Sequence, residues 1–394
     1  MRKEITMNKA IKNRTLAVVL SAILVGATFC GCGKTAEKTD TSSSSVTNDS
    51  STLTDSSISS VSSDDNNFRT VTDAAGNVVE VPANITKIAV TPLPWSSVIY
   101  AIDGSSERIA ALNPGALSGT AYKGQFFEIL DPSYGSINST AIGKDFSINM
   151  EEIVKMGVQA VVIWDYQEDE AKQLKELGIA PVMVKNETVE ELQSSFRAVG
   201  ELLGKEDRAQ QFIDLYGNIY NEIQSYQDQV SSAEKPKVLY LRNSDLKLQG
   251  NDNFIKEALE LAGADNVAAD SSEITMEDII QINPDIILLS WFDDFTPDDL
   301  YNNAIDGQDW SSVKAVQEKR VYKTPIGIYR YDAPGVETPL MMEWLATMIQ
   351  PEIFSDIDIK AEIADYYKTY FNIDLSEENL AQILCTEMNK NSAS

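Results

Sequence analysis

Residues 148–164, INMEEIVKMGVQAVVIW, and residues 274–291, ITMEDIIQINPDIILLSW, read as one unit written twice. Each begins with a Met-acid-acid-Ile step, Met150-Glu151-Glu152-Ile153 in the first and Met276-Glu277-Asp278-Ile279 in the second. Acidic residues at such a place favour the first turn of a helix. A turn follows, then a short apolar run that suits a buried strand, and each run closes on a tryptophan, Trp164 or Trp291. The two units stand 126 residues apart, about one lobe of a protein this long.

Working outward, KIAV and PVMV flank the first unit, and KVLYL and RVYKTP flank the second. Segments of helical period separate them. Strand-then-helix alternation predicts an α/β fold of two lobes with mostly parallel sheets. Ahead of the first lobe, residues 69–82 (RTVTDAAGNVVEVP) alternate and turn on Ala75-Gly76-Asn77, which predicts a β-hairpin. Between the lobes, Phe212, Leu215, Tyr216, Ile219, Ile223, Tyr226 and Val230 form one apolar stripe, so a single long helix is expected over 205–234. At 1.5 Å per residue it would reach roughly 40 Å. The lobes are then 68–204 and 235–394.

The chain has 394 residues, with 60 acidic against 32 basic side chains, a formal charge of −28. That balance excludes a binder of nucleic-acid phosphates, which needs Lys and Arg to displace counterions. There is no histidine, which removes Ser-His-Asp and Cys-His catalysis and His-based metal cages. A basic start, MRKEITMNKAIKNR, precedes about fifteen apolar residues and then Gly31-Cys32, so residues 1–31 read as an export signal. The junction resembles a bacterial lipobox with Cys32 as the lipidated residue, although Phe29 and Cys30 depart from the usual pattern. Cleavage there would leave Cys385 as the only thiol without lipid, so no internal disulfide is expected. After Cys32, the Ser/Thr/Asp-rich stretch to Asn67 is too polar to order itself and reads as a tether, residues 32–67.

Taken in order, the signal, TVTDAAGNVVEVP, TPLPWSSVIYAID, the INMEEIVKMG unit and AGADNVA before ITMEDIIQINPDIILL resemble iron-complex/cobalamin-type (iron-siderophore) substrate-binding lipoproteins of ABC transporters. The resemblance implies two α/β lobes joined by one long helix with a ligand cleft between the lobes, no enzymatic activity and no cofactor of the protein's own. The implied partners are an ABC permease homodimer with its ATPase, reached from an anchor in the lipid bilayer. The same family pattern places one docking glutamate on each lobe, Glu151 and Glu277. Capping of a helix start explains the same two residues more simply.

In open α/β sheets, ligands bind beyond the carboxyl ends of the strands. The residues following each predicted strand are therefore the candidates for ligand binding: Pro94, Trp95, Asn113, Lys144, Trp164 and Tyr166 in the first lobe, and Arg242, Trp291, Tyr329, Arg330 and Tyr331 in the second. Aromatic faces with a few cations suit a flat or apolar complex with an anionic edge. A ferric-siderophore-type iron complex ranks first, a corrinoid second, and haem or a nickel chelate also fit. A carboxylate-dependent surface enzyme is the competing class, with Asp165, Asp293, Asp294 and Asp332 near strand ends. The stretch 357–384 reads as amphipathic helices that close the second lobe.

Overall fold

Two parallel sheets of the same strand order carry the chain in a computed structural model that describes residues 67–393. The expected signal, Cys32 and nearly all of the tether lie outside the described residues. The chain opens with an antiparallel hairpin of β1 (Phe68–Thr72) and β2 (Val78–Pro82). Its turn uses Gly76 at φ +83°, and the Asp73 carboxylate accepts from the backbone N–H groups of Ala75 and Asn77. The first lobe continues through β3 (Ile88–Val90), α1 (Leu93–Asp103), β4 (Ile109–Leu112), α2 (Phe126–Leu130), α3 (Met150–Met156) and β5 (Ala160–Trp164). It ends with α4 (Glu168–Glu176), β6 (Ala180–Val184) and α5 (Val189–Leu203).

The connection is α6 (Glu206–Gln224) followed by α7 (Gln227–Ser232), which corrects the single helix expected over 205–234. Ser225 and Tyr226 stay near helical angles, but the Ser225 hydroxyl donates back to the Glu222 carbonyl (2.6 Å) and the helix is interrupted there. Nineteen residues give α6 a length of about 28 Å, shorter than the expected rod. The second lobe holds β7 (Lys237–Leu241), α8 (Asn253–Leu261), β8 (Asp265–Asn266), α9 (Met276–Ile282) and β9 (Ile286–Leu289). Then come α10 (Pro297–Tyr301), α11 (Lys314–Gln317), β10 (Val321–Lys323), α12 (Thr338–Ile349), α13 (Ile359–Phe371) and α14 (Glu377–Ile383).

The sheets run β4-β3-β5-β6 and β8-β7-β9-β10, all pairs parallel. Counted within each lobe, both orders are second-first-third-fourth. The repeated sequence unit is α3–β5 in one lobe and α9–β9 in the other. Its helices are capped alike: the Asn149 side chain accepts from Glu152 N–H, and Thr275 forms a capping box with Asp278. Both end on a left-handed residue, Gly157 at φ +70° and Asn283 at φ +51°.

Strand alternation distributes the core. Val162 and Leu288 face inward to one apolar core that continues through Phe196, Phe212, Ile219 and Leu345, so both lobes share it. Their neighbours Val161 and Ile163, and Ile287 and Leu289, face outward into separate cores under α3 and α9. The C-terminal helices do more than close the second lobe. The Tyr367 ring meets Phe126 of the first lobe at 5.1 Å, and Phe371 stacks with Tyr100 at 6.2 Å.

Candidate functional site

The order second-first-third-fourth creates a switch point between the first and third strands of each sheet, where a ligand crevice opens. In the first lobe the start of α1 after β3 and the end of β5 bring Pro94 and Trp164 there; in the second, the loops after β7 and β9 bring Arg242 and Phe292. The two sets face each other across a cleft of about 610 Å³. Tyr329 and Arg330 complete it from the segment after β10. Tyr166 is 66 % exposed, stacks near Trp164 (6.2 Å) and lines an adjoining recess of about 310 Å³.

The first-lobe wall is set by one buried amide. Gln167 Oε1 accepts from the Thr91 hydroxyl (2.7 Å) and from Trp164 N–H (3.1 Å), while its Nε2 donates to the Phe146 carbonyl (3.1 Å). Phe146, at φ +69°, lines the cleft in a conformation a non-glycine residue rarely adopts, held by this bond and by its own N–H to the Gly143 carbonyl.

The second-lobe wall is cationic. The guanidinium carbons of Arg242 and Arg330 lie 3.4 and 3.7 Å from the centre of the Phe292 ring. Arg330 pairs with the fully buried Asp332 (3.1 Å), whose other oxygen accepts from the Tyr240 hydroxyl (3.1 Å) and from the Ser290 hydroxyl. Burial opposes the Arg330 charge, but Asp332 and Tyr329 outweigh it and its pKa is raised. Arg242 is the contrast: burial and then the neighbouring Arg330 press its pKa down. No carboxylate stands within ion-pair distance of Arg242 among the described residues. An anion in the cleft would supply the missing partner.

The Phe292 loop is braced by Lys323, which is fully buried and donates to the carbonyls of Ser290 (2.7 Å), Asp293 (2.9 Å) and Phe295 (2.9 Å). Burial pushes its pKa down to about 8. The Asp293 carboxylate ties the loop to the Arg242 side by accepting from Ser244 N–H (2.8 Å) and hydroxyl (2.6 Å). Tyr329 is held in turn by Glu337, which accepts from its backbone N–H (3.1 Å) and from the Tyr367 hydroxyl (2.5 Å). Burial raises Glu337 to about 8. A Cβ at Gly327 would fall 2.0 Å from Glu337 Oε1, so this turn needs glycine.

Six of the eleven candidates do not line the cleft; Tyr166 reaches only the adjoining recess, and the other five lie elsewhere. Trp95 is fully buried edge-on to Phe196, and Tyr331 is fully buried in the shared core. Asn113 caps its own turn by accepting from Gly115 N–H and donates to the Gly143 carbonyl. Lys144 is exposed outside the cleft lining. Trp291 lies in the turn after β9, packs with Ile326 and Cys385, and donates its indole N–H to the Thr324 carbonyl (2.6 Å). The two repeated units are 17 and 18 residues long, and Val162 matches Leu288, so Trp164 matches Ser290 and not Trp291. Phe292, the next residue of the same turn, lines the cleft instead. The carboxylates of the competing enzyme reading are also dispersed: Asp332 is paired, Asp293 braces a loop, and Asp165 sits near Lys185 (3.6 Å). Among the described residues no group of three acidic or cysteine side chains is placed to hold a metal ion.

A two-lobed α/β body with a cationic, aromatic cleft at paired switch points defines a solute-binding protein. Residues 129–326 match the family described as periplasmic binding protein. The chain belongs to that family, whose members are the substrate-binding components of ABC transporters, not enzymes. A periplasmic solute binding protein from Veillonella parvula is 38 % identical, with a TM-score of 0.78 over 82 % of this chain and 99 % of that one. The molybdate-binding protein MolA of Haemophilus influenzae is 24 % identical over 80 % of this chain and 94 % of its own length. The uncharacterized substrate-binding lipoprotein YvrC of Bacillus subtilis is 27 % identical over 54 % of this chain and 68 % of its own. Family membership implies a permease and ATPase as partners and a place outside the cytoplasm. No helix among the described residues is long and apolar enough to cross a membrane.

Proposed function

We propose that this protein captures a compact anionic metal chelate, of the ferric-siderophore type, and delivers it to an ABC permease for import. The observation that carries the reading is Arg242: a half-buried guanidinium beside a second one, without a carboxylate of its own, over an exposed Phe292 ring. A carboxylate or hydroxamate edge would engage the cation, and the chelate's organic shell would rest on Phe146, Trp164 and Phe292. The cleft volume of about 610 Å³ lies within the range of small-molecule sites. Molybdate is the second reading, favoured by the relationship to MolA. A bare tetrahedral oxyanion would fill a small part of the cleft and leave its aromatic walls unused. Corrinoid, haem and nickel chelates are further cargoes to test.

In the same proposal Cys32 carries the lipid, residues 32–67 form the tether, and Glu151 and Glu277 meet the permease. Both glutamates are exposed on matching helices of the two lobes. A thermal-shift screen tests the ligand: ferric citrate, ferric hydroxamates, cobinamide, cyanocobalamin, haem, nickel–histidine and molybdate. A ligand at 100 times its Kd should stabilise by about 2.7 kcal/mol. A ferric chelate as the only hit supports the reading; molybdate as the only hit replaces it.

A further inference from the structure

Beside the arginine-lined cleft, toward α6, lies a second cavity of about 470 Å³. Glu187 and Glu190 wall it from the first lobe, Tyr216 and Tyr220 from α6, and Glu257 from α8. Glu187, Asn253 and Phe254 line both spaces, so the two are contiguous. Across their junction the Asn253 side chain donates to the Glu187 carbonyl (3.3 Å).

The chemistry of this crevice is opposite to that of the cleft. No lysine or arginine lines it, and the nearby Lys185 is already paired with Glu191 (3.0 Å) and Asp165. Burial, then the Glu190 charge, raises the Glu257 pKa. Tyr216 is only 5 % exposed and lines the crevice, and its hydroxyl has no hydrogen-bond partner among the described residues and feels the charges of Glu257 and Glu190. A phenol oxygen open to a cavity in this way is free to accept from a ligand's donor. The need is therefore for a group that brings positive charge and several N–H donors. A metal ion does not answer it, because the carboxylates are not gathered into a metal-holding group. An alkylammonium does: it can donate to Glu257, Glu190 and the Tyr216 oxygen while resting on the tyrosine faces.

We propose that the crevice is a subsite for an organic ammonium group, the amine-bearing arm of the ligand whose anionic edge meets Arg242. The inference rests on the cleft reading above and adds that the cargo is bipolar.

The test is calorimetric titration of the full-length protein in detergent with 1,5-diaminopentane at low ionic strength. One-to-one binding is expected, weakened at least tenfold (about 1.4 kcal/mol) in the Glu190→Gln/Glu257→Gln double variant. Tyr216→Phe keeps every charge and should still weaken binding several-fold. Glu168→Gln/Asp169→Asn, an equal charge change on exposed α4, should leave binding unaltered. Equal loss in that control would reduce the effect to net charge and overturn the subsite. Failure of the diamine to bind, or one-to-one calcium binding that depends on Glu190 and Glu257, would overturn it as well. The screen of anionic chelates and oxyanions reports on the arginine end separately, so failure of either reading is recognisable by itself.

Discussion

Arg242 and Arg330 lie over the same phenyl ring, yet replacing each by glutamine should damage the protein in different ways. Arg242→Gln removes a cation with no ion pair among the described residues, only a long hydrogen bond to Gln249 (3.5 Å) and its place over the Phe292 ring, so the fold should lose little. A charge-assisted hydrogen bond to an anionic ligand is worth about 1.5–3 kcal/mol, so ligand affinity should fall roughly 10- to 150-fold. Removing the Arg330 charge also relieves Arg242 of its nearest cation. Its main effect, however, is to strand the Asp332 carboxylate, which is 1 % exposed. Breaking a buried pair from one side costs about 3–5 kcal/mol, enough to lower Tm by roughly 5–10 °C in a unit of this size. Titration of the ligand identified by the screen, with a melting curve for each variant, separates the two cases. Equal Tm losses, or unchanged affinity in Arg242→Gln, would refute the division of labour between the two arginines.

Three further outcomes are expected. Glu343 on α12 is 2 % exposed, one of its oxygens has no partner, and burial raises its pKa from 4.5 to about 8. Between those values the native state holds a proton that the unfolded chain has released, so stability should fall by as much as about 4 kcal/mol from pH 5 to pH 8. Glu337, raised to the same value, adds to the slope, so Glu343→Gln should reduce it without abolishing it, and equal Tm–pH slopes in variant and parent would count against this. Lys323→Met would leave three carbonyls, two of them buried, without this donor, costing about 2–3 kcal/mol in urea unfolding, and should weaken ligand binding through the Phe292 loop. Charge reversal at Glu151 and Glu277 together should stop uptake in cells while ligand affinity of the purified protein stays unchanged; reduced affinity would point to misfolding.

The fold was legible because its signals are local and repeated. The Met150 and Met276 helices, their caps and the strands after them need only a few residues each, and both sheets then follow the same order. The long helix was read from an apolar stripe that continues past Ser225, but a stripe carries no mark of a break made by a hydroxyl bonding its own backbone. The cleft was legible at Pro94, Trp164, Arg242, Tyr329 and Arg330, which lie at the carboxyl ends of strands or in the segments that follow them. Trp291 is misleading because the strand ends at Leu289, and in the turn that follows the sequence carries no signal that Trp291 packs with Ile326 and Cys385 while Phe292 lines the cleft. Asp332 had been noted only as a strand-end carboxylate, since its meeting with Tyr240 and Ser290 depends on three distant segments. The role of Gln167 is equally invisible in sequence, because its partners come together only in the folded lobe.

Phe212 and Ile219 of α6 and Leu345 of α12 belong to the same apolar core as the inner faces of both sheets. Parting the lobes would therefore wet that core, at about 2.5 kcal/mol for every 100 Å² exposed, several times the thermal energy. The cleft is accordingly a slot with nearly fixed jaws. Cargo is retained by how well it seats against the walls, and its dwell time follows from those contacts instead of from the swing of a hinge. Emptying such a slot on demand calls for leverage from outside, which makes the membrane partner the tool that prises it and the ATPase the source of the work.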